Sequence, residues 1–378
     1  MAGLYVHIPF CHSKCIYCDF FSTPDRRSVA HVVEGIIHEY EARLGEISSG
    51  RWETVYFGGG TPSILDETQL EALCEAFDFN GTIEATIEVN PEDVSTHSAA
   101  FWRRCGFNRV SMGIQSFDDG QLRRIGRRHS AADALRAFAA LREAGFGNIS
   151  CDLIYGLPGQ DIDSWLDSLG RLISLRPEHL SAYCLSYEPG TALTRLADKG
   201  RITPAPDSLI EQMYDALCAA TADAGYEHYE ISNFALPDRR SRHNSSYWRS
   251  VPYLGLGPGA HSFDSRTRRY NPSDISAWLA SCPSYIVDDE NDDERYNDLL
   301  ITALRTADGL DIDALPDCRR DALLRDAAPH LASGQMVLTS GRRLVITEPA
   351  WLRADAILRD LIVAVSYTHL TLPTTPYV

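Results

Sequence analysis

Cys11, Cys15 and Cys18 stand in one short run, Cys11-His-Ser-Lys-Cys15-Ile-Tyr-Cys18. Thiolates are the usual ligands of iron–sulfur clusters, and three of them leave one iron of a [4Fe–4S] cluster open to a small molecule. Zinc is the alternative for the same residues. A structural zinc site closes with four ligands; His12 lies too near Cys11 to supply the fourth easily, which leaves His7. Gly58-Gly-Gly-Thr-Pro62 offers bare backbone that can approach a ligand closely, or simply a strand-ending turn. Glu88 and Asp152 can accept hydrogen bonds from hydroxyls or an ammonium, and Arg127 can pair with a carboxylate. Taken singly, these are also a strand-end cap, a surface charge and, for Gln115, a loop amide. Arg123, Arg124, Arg127 and Arg128 form a basic run that reads as a solvated helix face. In His243-Asn-Ser-Ser-Tyr-Trp248 an imidazole precedes two flat aromatics. A polar turn beside core aromatics is the ordinary reading of that segment.

The elements that must position these groups alternate. Strand-like runs at 4–8, 54–57, 83–89, 109–114, 149–154 and 180–185 are separated by amphipathic stretches at 29–44, 68–77, 96–105, 131–144 and 162–175. Such alternation implies parallel pairing with helical crossovers, an α/β fold of the partial TIM-like (β/α)6 kind or a doubly wound sheet. The polar and glycine-rich segments fall at the strand ends, where barrels of this class carry their active face. Beyond residue 202 the alternation fades. A helix at 208–224 precedes a polar, aromatic stretch at 226–262. An acidic run at 288–294 reads as a linker to a small C-terminal α+β, winged-helix-like module with a hairpin at 336–347. The expected division is 1–200 for the barrel, 201–290 for its extension and 291–364 for the module. The tail 365–378 lacks periodicity, and Val365–Leu370 is what a common transposon adapter would encode, so it is expected to be non-native.

With 35 Lys and Arg against 52 Asp and Glu, the net charge of −17 disfavours nucleic acid as a partner. The sequence shows neither a membrane-length apolar run nor a signal peptide, so a cytoplasmic address is expected. In that compartment cysteines stay reduced. The seven outside the first motif read mostly as small buried hydrophobes.

The C-x3-C-x2-C spacing, with Tyr17 before the third cysteine, resembles the signature of the radical S-adenosylmethionine (SAM) superfamily. That resemblance implies a cluster whose open iron binds the amino and carboxylate groups of SAM, and cleavage of SAM to a 5′-deoxyadenosyl radical. Gly58–Gly60 with Thr61 and Pro62 is similar to the family's glycine motif. Together with Tyr5-Val-His-Ile-Pro-Phe-Cys11, Glu88, Gly113-Ile-Gln-Ser116, Arg127, Asp152 and Gly156-Leu-Pro-Gly159, the pattern resembles the oxygen-independent coproporphyrinogen III oxidase group. The resemblance implies that Tyr5, Tyr17, Gly60, Thr61, Glu88, Gln115, Arg127 and Asp152 line SAM pockets. The oxidase carries a further cysteine two residues after the third ligand, where this chain has Phe20. His243-Asn-Ser-Ser-Tyr-Trp248 instead resembles the HNxxYW haem-binding motif of HemW-type haem chaperones. His243 is then a candidate iron ligand, and Tyr247 and Trp248 candidate surfaces for the macrocycle. The function implied is a haem chaperone that binds haem, a cluster and SAM and serves apo-haemoproteins such as membrane respiratory enzymes; a homodimer is one assembly it allows. Oxidative decarboxylation of coproporphyrinogen III on the same scaffold is the alternative, so whether the chain is an enzyme stays open at this point. An RNA-modifying enzyme fits the acidity poorly.

Overall fold

The computed structural model describes residues 2–47, 51–77, 79 and 81–364; the tail expected to be non-native, 365–378, lies outside them. β1 (Gly3–Ile8), α1 (Val29–Arg43), β2 (Thr54–Gly59), α2 (Glu67–Phe77), β3 (Glu84–Val89) and α3 (Thr96–Arg104) open the chain. β4 (Arg109–Gln115), α4 (Asp119–Arg124), α5 (Ala131–Glu143), β5 (Ile149–Tyr155), α6 (Ile162–Leu175) and β6 (His179–Cys184) continue the alternation. All six strands pair in parallel, each with the next in sequence. Their near-continuous burial is that of a parallel sheet covered on both faces. Polar residues set the helix starts: Ser95 with Ser98, Ser130 with Asp133 and Asp161 with Ser164 form reciprocal capping boxes.

The chain then runs through α7 (Ala192–Asp198), α8 (Asp207–Asp223), β7 (Glu227–Glu230), β8 (Asn233–Ala235) and α9 (Arg242–Trp248). After these come β9 (Tyr253–Leu256), β10 (His261–Phe263), β11 (Arg268–Tyr270), α10 (Ile275–Ser281) and β12 (Ile286–Asp288). One sheet of 12 strands results, in the order β12-β11-β10-β9-β1-β2-β3-β4-β5-β6-β8-β7, with β12 and β7 at its edges. β9 is a seventh parallel strand, paired with the outer side of β1, and no strand is expected there from the sequence. Its glycines dilute the β pattern. Gly255 is required because a Cβ would collide with the His261 carbonyl of the neighbouring strand.

The C-terminal module comprises α11 (Asp292–Leu304), β13 (Leu310–Asp311), α12 (Asp317–Ala332), β14 (Met336–Leu338), β15 (Arg343–Ile346), a 3-10 turn over Glu348–Arg353, and α13 (Ala354–Leu361). Its strands make an antiparallel sheet in the order β13-β15-β14. The acidic run expected to be a linker instead starts a helix. Asn291 accepts from the Asp293 and Glu294 amides while the Glu294 carboxylate returns to the Asn291 amide. Carboxylates in a first helical turn also suit the helix dipole. No helix among the described residues is long and apolar enough to cross a membrane.

A buried ion pair fastens α1 to the added strands. Arg43 Nη1 lies 2.8 Å from Glu39 Oε1, and Arg43 also donates to the Gly255 carbonyl and the Ser262 hydroxyl. Glu39 accepts from the Gly257 amide and from Asn271. Breaking such a pair strands a buried charge, so Arg43→Met is expected to cost about 3–5 kcal/mol. Chemical denaturation should show the Glu39→Gln/Arg43→Met double variant losing much less.

Candidate functional site

Cys11 follows β1, and its loop is pinned where it leaves and returns. The Cys11 amide donates to the Thr23 carbonyl at 3.1 Å and the Thr23 amide to the Pro9 carbonyl at 2.8 Å. Ile16 and Tyr17 pack on a small apolar cluster of Ile125, Ile154 and Leu157, and the Ile16 amide donates to the Ile125 carbonyl. All three cysteines face a cavity of about 650 Å3, within the usual range for small-molecule sites. Tyr5, Tyr17, Gly60, Thr61, Glu88, Gln115, Arg127 and Asp152 line this same cavity. It lies at the C-terminal ends of the parallel strands.

The glycine run forms a ledge for the cysteine loop. The Gly60 amide donates to the Ile8 carbonyl at 2.8 Å, and a Cβ on Gly60 would lie 2.5 Å from the Phe10 carbonyl oxygen. Gly59 adopts φ 107°, open to glycine at little cost. Thr61 donates to the Gly60 carbonyl and accepts from Asn90 Nδ2. Arg127 is not on the solvated face expected for the basic run. Arg123, Arg124 and Arg128 are exposed, whereas the Arg127 guanidinium turns inward because buried acceptors await it. Nη2 donates to Asn90 Oδ1 and to the Gly113 carbonyl, each at 2.6 Å, and Nη1 lies 3.7 Å from Cys15 Sγ.

Two carboxyl groups form the buried acidic part of the wall. Tyr56 donates to Glu88 Oε1 at 2.8 Å and the Gly59 amide to Oε2 at 3.2 Å. Burial nevertheless raises Glu88 to about 7 and Asp152 to about 6. Gln115 holds φ 67°, at a bulge between β4 and β5, a left-handed conformation that is costly for a side-chain-bearing residue.

The motif 243–248 lies at the opposite end. α9 packs against the first residues of the strands: Glu84 accepts from the Arg242 and His243 amides at 3.0 and 2.9 Å. His243 is 1% exposed. Its Nδ1 pairs with Thr54 Oγ1 at 2.8 Å and its Nε2 with Tyr247 Oη at 2.7 Å. Burial, then the Arg109 charge, lowers its pKa to about 3. Neither ring nitrogen is open to iron in this arrangement, which matches the ordinary reading of the segment as a polar turn beside core aromatics rather than that of His243 as an iron ligand. Tyr247 and Trp248, by contrast, line a second cavity of about 240 Å3 that shares Tyr183 with the first. Asn233 Oδ1, Asn244 Oδ1 and Trp248 Nε1 border it without a hydrogen-bond partner among the described residues.

The donors fit a cluster better than a zinc ion. His7, the remaining fourth ligand for zinc, is engaged through Nδ1 by Tyr5 and through Nε2 by the Phe21 carbonyl. The three sulfurs are not gathered within 4.8 Å of one another, whereas thiolates sharing one zinc would stand ~3.8 Å apart. A cluster that gives each thiolate its own iron suits the wider spacing. Burial raises the Cys11 thiol, and Cys18 to about 11, so cation binding must displace protons. Asp152 Oδ1 and Arg127 Nε are buried without a partner at the same wall, an acceptor and a donor suited to an amino-acid group.

Several wall residues have no warning in the sequence. Asn90 joins Arg127 to Thr61; its place after β3 is the only signal. Arg305 and Trp351–Asp355 reach the cavity from the C-terminal module, which local patterning does not reveal. Nor are the scattered cysteines mostly buried. Cys151 is, but Cys184 and Cys318 are exposed, and Cys184 lines the cavity.

A parallel α/β sheet with three cysteines after its first strand and a glycine ledge after its second defines a radical SAM protein, and the Radical SAM superfamily pattern matches residues 5–172. Heme chaperone HemW of Bacillus subtilis (strain 168) is 35% identical over 285 residues, 74% of this chain and 75% of that protein. Heme chaperone HemW of Mycobacterium tuberculosis (strain ATCC 25618 / H37Rv) is 32% identical across 95% of this chain and 94% of that protein. The chain belongs to the HemW family. The solved structure of coproporphyrinogen III oxidase (HemN) from Escherichia coli, a radical SAM enzyme, shares the fold with a TM-score of 0.81 at 22% identity, over 96% of this chain and 90% of that one.

Two outcomes follow from the wall. Gly60→Ala should push the cysteine loop off its ledge and lower iron and sulfide per chain after reconstitution, with little change in far-ultraviolet circular dichroism. Because Glu88 is raised from 4.5 to about 7, the stability it lends is full below 4.5 and lost as pH rises to about 7, roughly 3 kcal/mol. Thermal melts of the metal-free protein across that window should flatten in Glu88→Gln.

Proposed function

We propose that this chain is a haem carrier. In this reading Cys11, Cys15 and Cys18 hold a [4Fe–4S] cluster, the large cavity takes SAM, and haem rests against Tyr247 and Trp248 before passing to apo-haemoproteins, membrane respiratory enzymes among them. Family membership carries the reading. The adjoining cavities, one walled by thiols and the other by Tyr247, Trp248, Tyr253 and Phe263, support it.

When bound, the cluster supplies an electron and an open iron. The chain's own groups bind and orient. Glu88 and Asp152 accept from an ammonium or from ribose hydroxyls, Arg127 and Gln115 face a carboxylate, and Gly60 and Thr61 present backbone. Tyr5 and Tyr17 close the apolar sides. In the second cavity the aromatic rings would cover the macrocycle; of the two arginines in its wall, Arg268 is held by Glu290 and Asp298. His243 braces the Tyr247 hydroxyl from behind and leaves the iron to another ligand.

The test is anaerobic incubation of cluster-loaded protein with coproporphyrinogen III, SAM and a reductant, beside a haem titration and transfer to an apo-haemoprotein. Haem binding and transfer without decarboxylation are expected; decarboxylated product would overturn the carrier reading in favour of the oxidase. Trp248→Leu should weaken haem binding by about tenfold, the worth of one aromatic face, and leave cluster content unchanged.

A further inference from the structure

Away from the thiol-lined loop, a cysteine, a histidine and a glutamate from three separate elements converge. Cys218 on α8, His228 on β7 and Glu348 at the start of the 3-10 turn each bring one donor atom within 4.8 Å of the others. His228 Nδ1 stands 2.8 Å from Glu348 Oε1 and 3.8 Å from Cys218 Sγ. Its Nε2 lies 3.2 Å from the Ile231 carbonyl oxygen, which can only accept. That bond keeps a proton on Nε2 and turns Nδ1 toward a carboxylate and a thiol. A proton on Nδ1 makes this contact an ion pair with Glu348, and a metal cation would take that proton's place between the imidazole, the carboxylate and the thiol.

We propose that Cys218, His228 and Glu348 bind one divalent cation of the zinc class, and that this ion clips the C-terminal module to the barrel extension. Sulfur, imidazole nitrogen and carboxylate oxygen are zinc's usual donors. Ligands around a tetrahedral zinc stand ~3.3–3.8 Å apart, so small movements from the observed 2.8 and 3.8 Å complete the shell. A backbone carbonyl holding the second ring nitrogen is the common outer-shell support of a metal-bound histidine. The imidazole is fixed by stacking on Phe234 at 4.0 Å and by the edge of Trp351 at 4.4 Å.

A second observation points to the same spot. Tyr214 is 4% exposed, and its buried hydroxyl lies against the Cys218 thiol. It supplies the fourth oxygen or holds the water that does. Binding releases the Cys218 proton and leaves the thiolate, neutral imidazole and carboxylate to balance the ion's two charges. The 3-10 turn that carries Glu348 also carries Trp351, Leu352 and Arg353, which wall the large cavity. The ion therefore holds that wall in place.

The test uses the full-length chain with its cluster assembled, so that Cys11, Cys15 and Cys18 are occupied, titrated anaerobically with Zn2+ against a chromophoric chelator. One equivalent should bind and raise the thermal midpoint. Cys218→Ser and Glu348→Gln, the latter at a half-exposed side chain, should each weaken binding by at least about tenfold with iron content unchanged. A chain with serine at all three cluster positions should give the same stoichiometry, and Co2+ should give it thiolate-to-cobalt charge-transfer absorption that Cys218→Ser removes. No bound zinc in the cluster-loaded chain, or equal affinity in both variants, would overturn the proposal.

Discussion

The Arg127 guanidinium joins two loops and a strand that the sequence keeps apart. It donates to Asn90 after β3 and to the Gly113 carbonyl within β4, and it reaches Cys15 in the thiol-bearing loop. A planar cation with a fixed fork of donors does this where a lysine could not, because several acceptors must be met at set angles. Asn90 in turn reaches Thr61 on the glycine ledge, so the ledge, the acidic wall and the cysteines are held in one frame. Buried away from water, such a network is specific only while every acceptor remains satisfied.

The two ends of the strands do different work. At the C-terminal ends, glycines, amides and carboxyl groups leave atoms unpaired beside a cavity. At the N-terminal ends several polar groups pair with each other: Glu84 caps α9, and Thr54 and Tyr247 saturate His243. His179 does likewise between Ser150 and Tyr229, while Arg109 Nε and Nη1 are buried with no hydrogen-bond partner among the described residues. Unpaired buried groups are costly and fully paired ones are not. The far side of α9, with Tyr247 and Trp248, opens onto a cavity.

Much of this was legible in the chain. The six parallel strands announced themselves because a covered parallel sheet needs runs of β-branched and aromatic residues, and the three cysteines because no ordinary core groups thiols so tightly. β9 was hidden because close backbone approach demanded glycine where a strand normally shows bulk. His243 stood between two readings for a different reason: residue type alone cannot tell a ligand from a histidine saturated in the core, and the positions of Thr54 and Tyr247 are what separate them. Residues 351–355 were out of reach, since they lie more than three hundred residues after the thiols and complete their cavity through tertiary packing.

The bulge at Gln115 has a consequence for how this site can change. Between Gly113 and Gln115 the pairing of β4 with β5 slips by one residue, and Gln115 takes the left-handed backbone that the slip requires. Upstream, the two strands keep their hydrophobic alternation. Downstream, the end of β4 is free to aim its amide into the cavity independently of the core beneath. The sheet is thereby insulated from its own rim: side chains past the slip can be exchanged to suit a different guest, and the folding pattern below need not follow.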